Sequence, residues 1–191
     1  MSKIILKGKK VILRPLSLND APRFCQWMAD PELTTFLSVH DRSVPTLKEE
    51  REWIRETKKD KSKVTFSIDT TARSAGSRRD GRHIGSISLF KLDKLHKNAE
   101  FGIMIGDKEF WGQGCGTEAT KLIIGYGFKK LKLHRIYLRH IAYNIRGHKA
   151  YSRAGFKPEG CQRQHIFREG YWHDQIIMGL LKSEYTKQLK K

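Results

Sequence analysis

Three glycines stand on alternate positions, Gly112, Gly114 and Gly116, in the stretch FWGQGCGTEATKLIIGYGF (110–128), directly before an apolar-periodic run. A glycine-rich loop that opens a helix suits an anion. First-turn N–H groups have no partner inside the helix, and the helix dipole adds about half a positive charge. Glycine also lets a phosphate approach the backbone without meeting a Cβ. A tight strand-to-helix turn without a ligand would use the same residues, so the loop alone leaves both readings open. Two common phosphate loops are excluded. A nucleotide P-loop requires GxxxxGK followed by Ser or Thr, and no lysine follows these glycines until Lys121. A dinucleotide fingerprint requires glycine where Thr117 stands and an acid about 20 residues on, and the following stretch HRIYLRHI has none. Cys115 lies in the loop, where the dipole can lower a thiol pKa; it reads as a small loop residue. Of the eight histidines, His134 and His140 sit in or beside one strand. No cysteine or carboxylate completes a ligand group with them, so no metal is expected.

The elements around the loop follow from periodicity. KVILRPL (10–16) reads as a short strand. SLNDAPRFCQWMADP (17–31) reads as a helix, with polar starters, Pro22 in its first turn, and Phe24, Trp27 and Met28 on one face. Thr46 and Glu49 have capping-box spacing and open a charged helix to about Lys59, with Leu47 and Ile54 pointing inward. KVTFSID (63–69) and HIGSISLF (83–90) alternate as strands, separated by the Ser-, Gly- and Arg-rich hairpin loop 70–82. NAEFGIMIG (98–106) is a strand interrupted by Gly102, a residue that in a strand often marks a bulge or close backbone approach. After the loop, Ala119, Leu122, Ile123 and Tyr126 share a helix face. HRIYLRHI (134–141) is a strand. Asn144 caps a helix that Gly155 ends, and 160–180 forms two strands joined at Arg168-Glu169-Gly170. The order β-α-α-β-β-β-α-β-α-β-β describes one α/β domain over 1–191, a mixed sheet with helices on its faces.

At 191 residues the chain falls within the usual size of one domain, about 100–200 residues. No apolar run approaches the roughly 18 residues that span a membrane. MSKIILKGKK lacks the apolar core and cleavage site of a secretory signal. Three widely spaced cysteines without a CxxC pair read as free thiols, and a cytoplasmic location is expected. The net charge of +18 attracts polyanions and fits an anionic cofactor or a ribosomal or nucleic-acid neighbourhood. The basic residues are spread along the chain, which equally describes a solvated surface.

The loop after EFGIMIG, followed by a strand and AYNIRGHKAYSRAGF, resembles the GNAT superfamily of acetyl-CoA-dependent N-acetyltransferases. The loop matches the Q/R-x-x-G-x-G/A pyrophosphate motif. Asn144, Tyr151, Gly155 and Phe156 match the N-x6-Y-x3-GF helix. KVILRPLSLNDAPRF is similar to the "LRPL…D" opening of the branch that holds the RimJ/RimL ribosomal-protein N-acetyltransferases and spermidine acetyltransferases, and residues 155–174 resemble its ending. Trp111 departs from the family's Gln or Arg, as is common in this branch, and leaves Gln113 as the one polar side chain in the loop proper. The resemblance implies the GNAT fold, a mixed twisted sheet splayed into a V between two parallel strands near Gly102. It implies that residues 111–117 (Trp111, Gly112, Gln113, Gly114, Cys115, Gly116 and Thr117) hold the coenzyme A pyrophosphate. Ile103, Met104 and Ile105 would bond the pantetheine arm through their backbone, and Asn144 and Tyr151 would also contact the cofactor. Amine acetylation from a thioester requires an aligned, uncharged amine, a polarised carbonyl and protonation of the thiolate. Tyr151 is then the candidate acid. Because a free amine has a pKa of about 10, a base or a water chain must take its proton, and Glu100 is the candidate, directly or through water. Asn144 completes the catalytic set.

The acceptor is less determined. With 20 acidic against 38 basic residues, an acidic groove for a polyamine is disfavoured. A ribosomal-protein N-terminus fits the basic surface, since rRNA would attract it. A small primary amine, an amino sugar or an antibiotic amine stays open. A reading of another class is an acetyl-CoA-retaining nucleic-acid-binding or sensor module, for which the SRRDGR (77–82) and KKLKLHR (129–135) runs speak. The branch often dimerises, so a homodimer is among the expected partners.

Overall fold

The computed structural model describes residues 5–37, 43–71 and 81–189. Most of the expected 70–82 loop, including the first four residues of SRRDGR, lies outside the described residues.

Fourteen strands and α-helices follow in chain order among the described residues: β1 (Leu6–Lys7), β2 (Val11–Pro15), α1 (Ala21–Met28), α2 (Pro31–Thr34), α3 (Leu47–Lys59), β3 (Val64–Thr70), β4 (His83–Asp93), β5 (Asn98–Ile105), α4 (Cys115–Lys129), β6 (Arg135–Ile141), α5 (Ile145–Ala154), β7 (Lys157–Arg168), β8 (Tyr171–Leu181) and α6 (Lys182–Gln188). The single helix expected over 17–31 is broken. A 3-10 turn at Leu18–Asp20 precedes α1, and Asp30 is held extended (φ −94°, ψ 107°) ahead of Pro31. A residue before proline is driven out of the helical region, so α1 cannot continue. Asp30 then caps α2, its Oδ1 accepting from the Glu32 amide at 3.1 Å. The capping box of α3 forms as its spacing predicts: Thr46 Oγ1 accepts from Glu49 N, and Glu49 Oε2 accepts from Thr46 N at 2.7 Å.

The strands form one sheet in the order β1-β2-β3-β4-β5-β6-β8-β7. Every neighbouring pair is antiparallel except β5–β6, which is parallel and pairs only at Asn98–Arg135, Ala99–Ile136 and Glu100–Tyr137. Beyond that point β5 stays on β4 as far as Ile105, while β6 stays on β8 as far as Ile141. The sheet therefore splits after Glu100, where the family resemblance implies a V. The bulge does not form at Gly102, which pairs in register with Ser88; the β4–β5 irregularity lies between Phe90 and Asp93. Gly102 makes room for an aromatic ring instead, since a Cβ there would sit 3.1 Å from Phe90 Cε1.

Alternation along β5 sorts its side chains between two apolar clusters. Phe101, Ile103 and Ile105 join the larger one, which holds α4 through Ala119, Ile123 and Phe128. Met104 joins the smaller one, with Phe24 and Trp27 of α1, Leu33 of α2 and Ile54 of α3. Helices thus cover both faces, and the split in the sheet connects them.

On the α1 face, the Leu13-Arg14-Pro15-Leu16…Asp20 motif is structural. Arg14 grips Asp20 with two hydrogen bonds (2.8 and 2.7 Å) and Asp69 with a third at 2.5 Å, and Ser67 Oγ donates to Asp20 at 2.6 Å. No helix among the described residues is long and apolar enough to cross a membrane.

Candidate active site

The chain leaves β5 through Asp107, which caps the 3-10 turn Lys108–Phe110, and enters the glycine loop. Gly112 and Gly114 take left-handed backbone angles, φ +72° and +82°, which side chains other than glycine rarely adopt. Gly114 is the N-cap of α4, and the first helical bond is Glu118 N to Gly114 O at 3.0 Å. The amides of Cys115, Gly116 and Thr117 are therefore left without a backbone acceptor among the described residues. Gly116 brings the helix start close to β5, where a Cβ would meet Ile105 Cγ1 at 3.6 Å.

Side chains fix this loop from outside. Glu118 accepts from three successive amides, Lys9 (2.9 Å), Lys10 (2.6 Å) and Val11 (3.0 Å), strapping the β1–β2 turn to α4. Lys10 Nζ donates to the Gln113 carbonyl at 2.7 Å. The Gln113 side chain bonds back to the Glu109 carbonyl, so its amide group braces the loop. Cys115 is buried in the core, and burial pushes its thiol up despite the helix terminus and Lys10. The dipole's lowering effect does not prevail, and only the Cys115 backbone is offered to a ligand. Trp111 Nε1 donates to the Ile105 carbonyl at 2.7 Å, and the Arg146 guanidinium stacks 3.5 Å from the Trp111 ring centre.

Across the split stands α5. Asn144 caps it, Oδ1 accepting from Gly147 N at 2.8 Å. Tyr151 lies about two turns further along α5, its ring 5.8 Å from Phe101 and 5.7 Å from His140. Burial pushes the Tyr151 phenol up to about 12, so it is fully protonated at neutral pH. Its hydroxyl makes no hydrogen bond among the described residues. Sequence reasoning passed over the histidine pair beside it. His140 Nδ1 lies 2.9 Å from the Ile141 carbonyl, which can only accept, so that nitrogen carries a proton. Burial lowers the His140 pKa and keeps the ring neutral. His148 Nδ1 then donates to His140 Nε2 at 3.1 Å.

Glu100 lies on the opposite face of β5 from Phe101, 5% exposed. Burial alone would raise its pKa, but Arg139 (2.9 and 3.2 Å) and Lys91 (2.8 Å) outweigh that and hold it below the ordinary carboxylate range. A carboxylate holding two cations is a weak base, which works against the role expected from sequence.

A continuous cavity of about 1250 Å³ joins these parts. It runs from Gly112, Gly114, Gly116 and Thr117, past Asn144 and Tyr151, along Phe101–Ile105, to a chamber between α1, α2 and α3. There it meets Glu50, which is 8% exposed and has no hydrogen-bond or ion-pair partner among the described residues. Burial raises its pKa. A sequence signal for Glu50 existed: it stands four residues before Ile54, on the stripe that buries α3. Among the described residues no group of three or more His, Cys, Asp or Glu could hold a metal.

The family description Acetyltransferase (GNAT) domain matches residues 10–157. The chain belongs to the GNAT acetyltransferases. It is therefore an acetyl-CoA-dependent N-acetyltransferase. Among curated relatives of this GNAT enzyme, YjcK of Bacillus subtilis, provisionally named an N-acetyltransferase, is 29% identical over 94% of this chain and 98% of its own. YdaF of the same organism, provisionally named a ribosomal N-acetyltransferase, is 36% identical over 61% of this chain and 63% of its own. The spermidine N(1)-acetyltransferase of Escherichia coli is 32% identical over 58% and 59%. The fold is also that of a spermidine N-acetyltransferase from Vibrio cholerae solved with CoA and spermine, with a TM-score of 0.81, 23% identity, and coverage of 94% of this chain and 99% of that one.

The glycine loop of this GNAT enzyme fits a pyrophosphate. Three successive amides at one helix start lack a backbone acceptor among the described residues, and the one acid of the first turn, Glu118, is turned away onto the β1–β2 amides.

Proposed function

We propose that this enzyme acetylates a primary amine, a protein N-terminus or a small amine, that enters from the α1–α3 chamber, while acetyl-CoA enters from the glycine loop. The observation that carries this reading is the single cavity that crosses the sheet at its split, with Tyr151 at the crossing and a different chemistry at each end. When bound, acetyl-CoA supplies an acyl thioester, already electrophilic toward an amine.

In this reading the amides of Cys115, Gly116 and Thr117, with the opened backbone at Gly112 and Gly114, receive the pyrophosphate. Among the described residues the β5 edge at Ile103, Met104 and Ile105 has no partner strand on the β6 side, and it offers its backbone groups there to an extended ligand. Trp111 and Asn144 border the same path, and Asn144 keeps the start of α5 in place. Tyr151 Oη keeps its proton at neutral pH and gives it to the departing sulfur as the C–S bond breaks, and water returns a proton to the phenolate. Glu100 anchors Arg139 and Lys91 at the crossing, and the amine's proton leaves through water.

The net charge of +18 supports a ribosome-proximal acceptor, because such a field draws the enzyme toward RNA-bound amines. The test is thiol release from acetyl-CoA with a panel of ribosomal N-terminal peptides, spermidine and aminoglycosides, comparing wild type with Tyr151→Phe. Release that needs an acceptor and falls at least a hundredfold in the variant supports the reading. Release without any acceptor, or undiminished in the variant, sinks it.

A further inference from the structure

The three carboxylates that line the cavity differ in what they are free to do. Glu100 is neutralised by Arg139 and Lys91. Glu49 is spent on the α3 cap, where its Oε2 accepts from the Thr46 amide and hydroxyl. Among the described residues, Glu50 alone of the three is both buried and without a hydrogen-bond or ion-pair partner. A carboxylate so placed is costly unless something pairs with it, and the same low-polarity setting strengthens any ion pair it forms. Its surroundings in the chamber are apolar and aromatic. Phe24 and Trp53 meet edge to face at 5.7 Å, and Leu33 and Phe36 close the wall. An aromatic wall beside one carboxylate receives an ammonium through both charge pairing and the ring faces. Elsewhere the cavity is basic, lined by Lys91, Arg139, Arg146, Lys149 and Arg153.

We propose that Glu50 is the anchor for the acceptor's ammonium group, and that the chamber selects amines with one positive charge on an apolar body over polycations. This rests on the reading that the acceptor enters from the α1–α3 chamber. A spermidine molecule carries three ammonium groups, and only one unspent carboxylate among the described lining residues meets them. Along the rest of the cavity the five cations outnumber their one paired carboxylate, Glu100, and that positive excess repels the remainder. The same anchor serves the α-ammonium of a peptide N-terminus and that of a free small amine.

The test uses the full chain, with three probes: phenethylamine, an N-terminally free, C-terminally amidated Ala-Phe-Ala peptide, and spermidine. Calorimetric binding in the presence of CoA, and initial rates of thiol release, are measured for wild type, Glu50→Gln and Glu50→Asp. The expected result is at least tenfold weaker binding and at least tenfold higher KM for the monocations in Glu50→Gln, partial recovery in Glu50→Asp, and unchanged CoA affinity. Spermidine binds wild type at least tenfold more weakly than the better monocation, and which monocation is better distinguishes a peptide from a small-amine acceptor. Monocation binding that stays within twofold in Glu50→Gln, or spermidine binding tighter than both monocations, overturns the proposal. Amine-dependent turnover that ignores Glu50 removes the anchor alone, whereas no turnover with any amine removes the reading beneath it as well.

Discussion

The glycines of the loop make unequal demands, and replacing them one at a time separates backbone strain from space. At Gly114 the backbone angle is φ +82°, and an added Cβ would approach only the flexible end of Lys10 at 3.4 Å. The penalty of Gly114→Ala is therefore conformational, about 1–2 kcal/mol for a left-handed residue with a side chain. In a domain of this size each kcal/mol shifts Tm by about 2–4 °C, so the variant melts about 2–8 °C lower. If the loop escapes by turning the Cys115–Thr117 amides aside, the same 1–2 kcal/mol comes out of binding, about five- to thirtyfold in CoA affinity. Gly116 has an ordinary helical backbone, and its Cβ would rest against Ile105 at 3.6 Å, an easy contact on the sheet side. Gly116→Ala removes a flexible residue from a helix and gains about 0.5–1 kcal/mol. It should melt as high as wild type or higher and bind CoA within threefold of it. Differential scanning fluorimetry and calorimetry with CoA read both quantities on the same samples. The reasoning is refuted if Gly116→Ala is the more damaged of the two, or if Gly114→Ala matches wild type in both measurements.

Other outcomes follow from the same contacts. Tyr151→Phe keeps the ring on Phe101 and His140, so its Tm should stay within about 2 °C while kcat falls by about two orders of magnitude or more; equal losses in both would make the residue structural. Arg14→Ala leaves Asp20 and Asp69 unpaired and should cost about 3 kcal/mol in urea unfolding. Burial alone would raise the Asp20 pKa, but hydrogen bonds from Arg14 and Ser67 outweigh it and hold the pKa below its usual range. The stability this contributes is present above the unfolded value, about 4, and is lost as pH falls through the folded one. Asp20→Asn should flatten that acid limb, and an unchanged limb would assign it to other groups. Glu118→Ala releases the amides of Lys9, Lys10 and Val11, which hydrogen exchange should show opening ahead of the rest of β2; unchanged protection would mean that the strap carries no load.

Much of the fold was legible because its signals are local. Val64, Phe66 and Ile68 alternate in β3, Thr46 and Glu49 have box spacing, and Gly155 ends α5 in a left-handed turn (φ +107°). The break between α1 and α2 was readable too, since Pro31 forbids continuation, but the polar starters before it favoured one long helix. β1 escaped notice because two residues have no period, and it exists only through pairing with β2. α6 escaped because its Tyr185 contact with Phe128 comes from a helix far away in sequence. The site divides in the same way. The glycine loop and the Asn144–Tyr151 helix are contiguous and motif-bearing. The state of Glu100 depends on Lys91, nine residues away, and on Arg139 across the parallel pair, so its ion pairs belong to the sheet rather than to the sequence. His148 meets His140 only because a tight turn folds α5 back on β6.

The split after Glu100 also bears on how the protein avoids its own kind. An unpaired strand edge is a template for a foreign strand and a seed for aggregation. This sheet keeps two unpaired edges, β5 beyond Glu100 and β6 beyond Tyr137, facing each other inside the molecule. Outwardly it shows β1, two residues long, and β7, a longer edge that carries Pro158 and the exposed, charged Lys157, Glu159 and Arg163. The wedge that makes room for a ligand thus doubles as a shelter. The unpaired backbone beside the split is exposed only to what can enter the cleft.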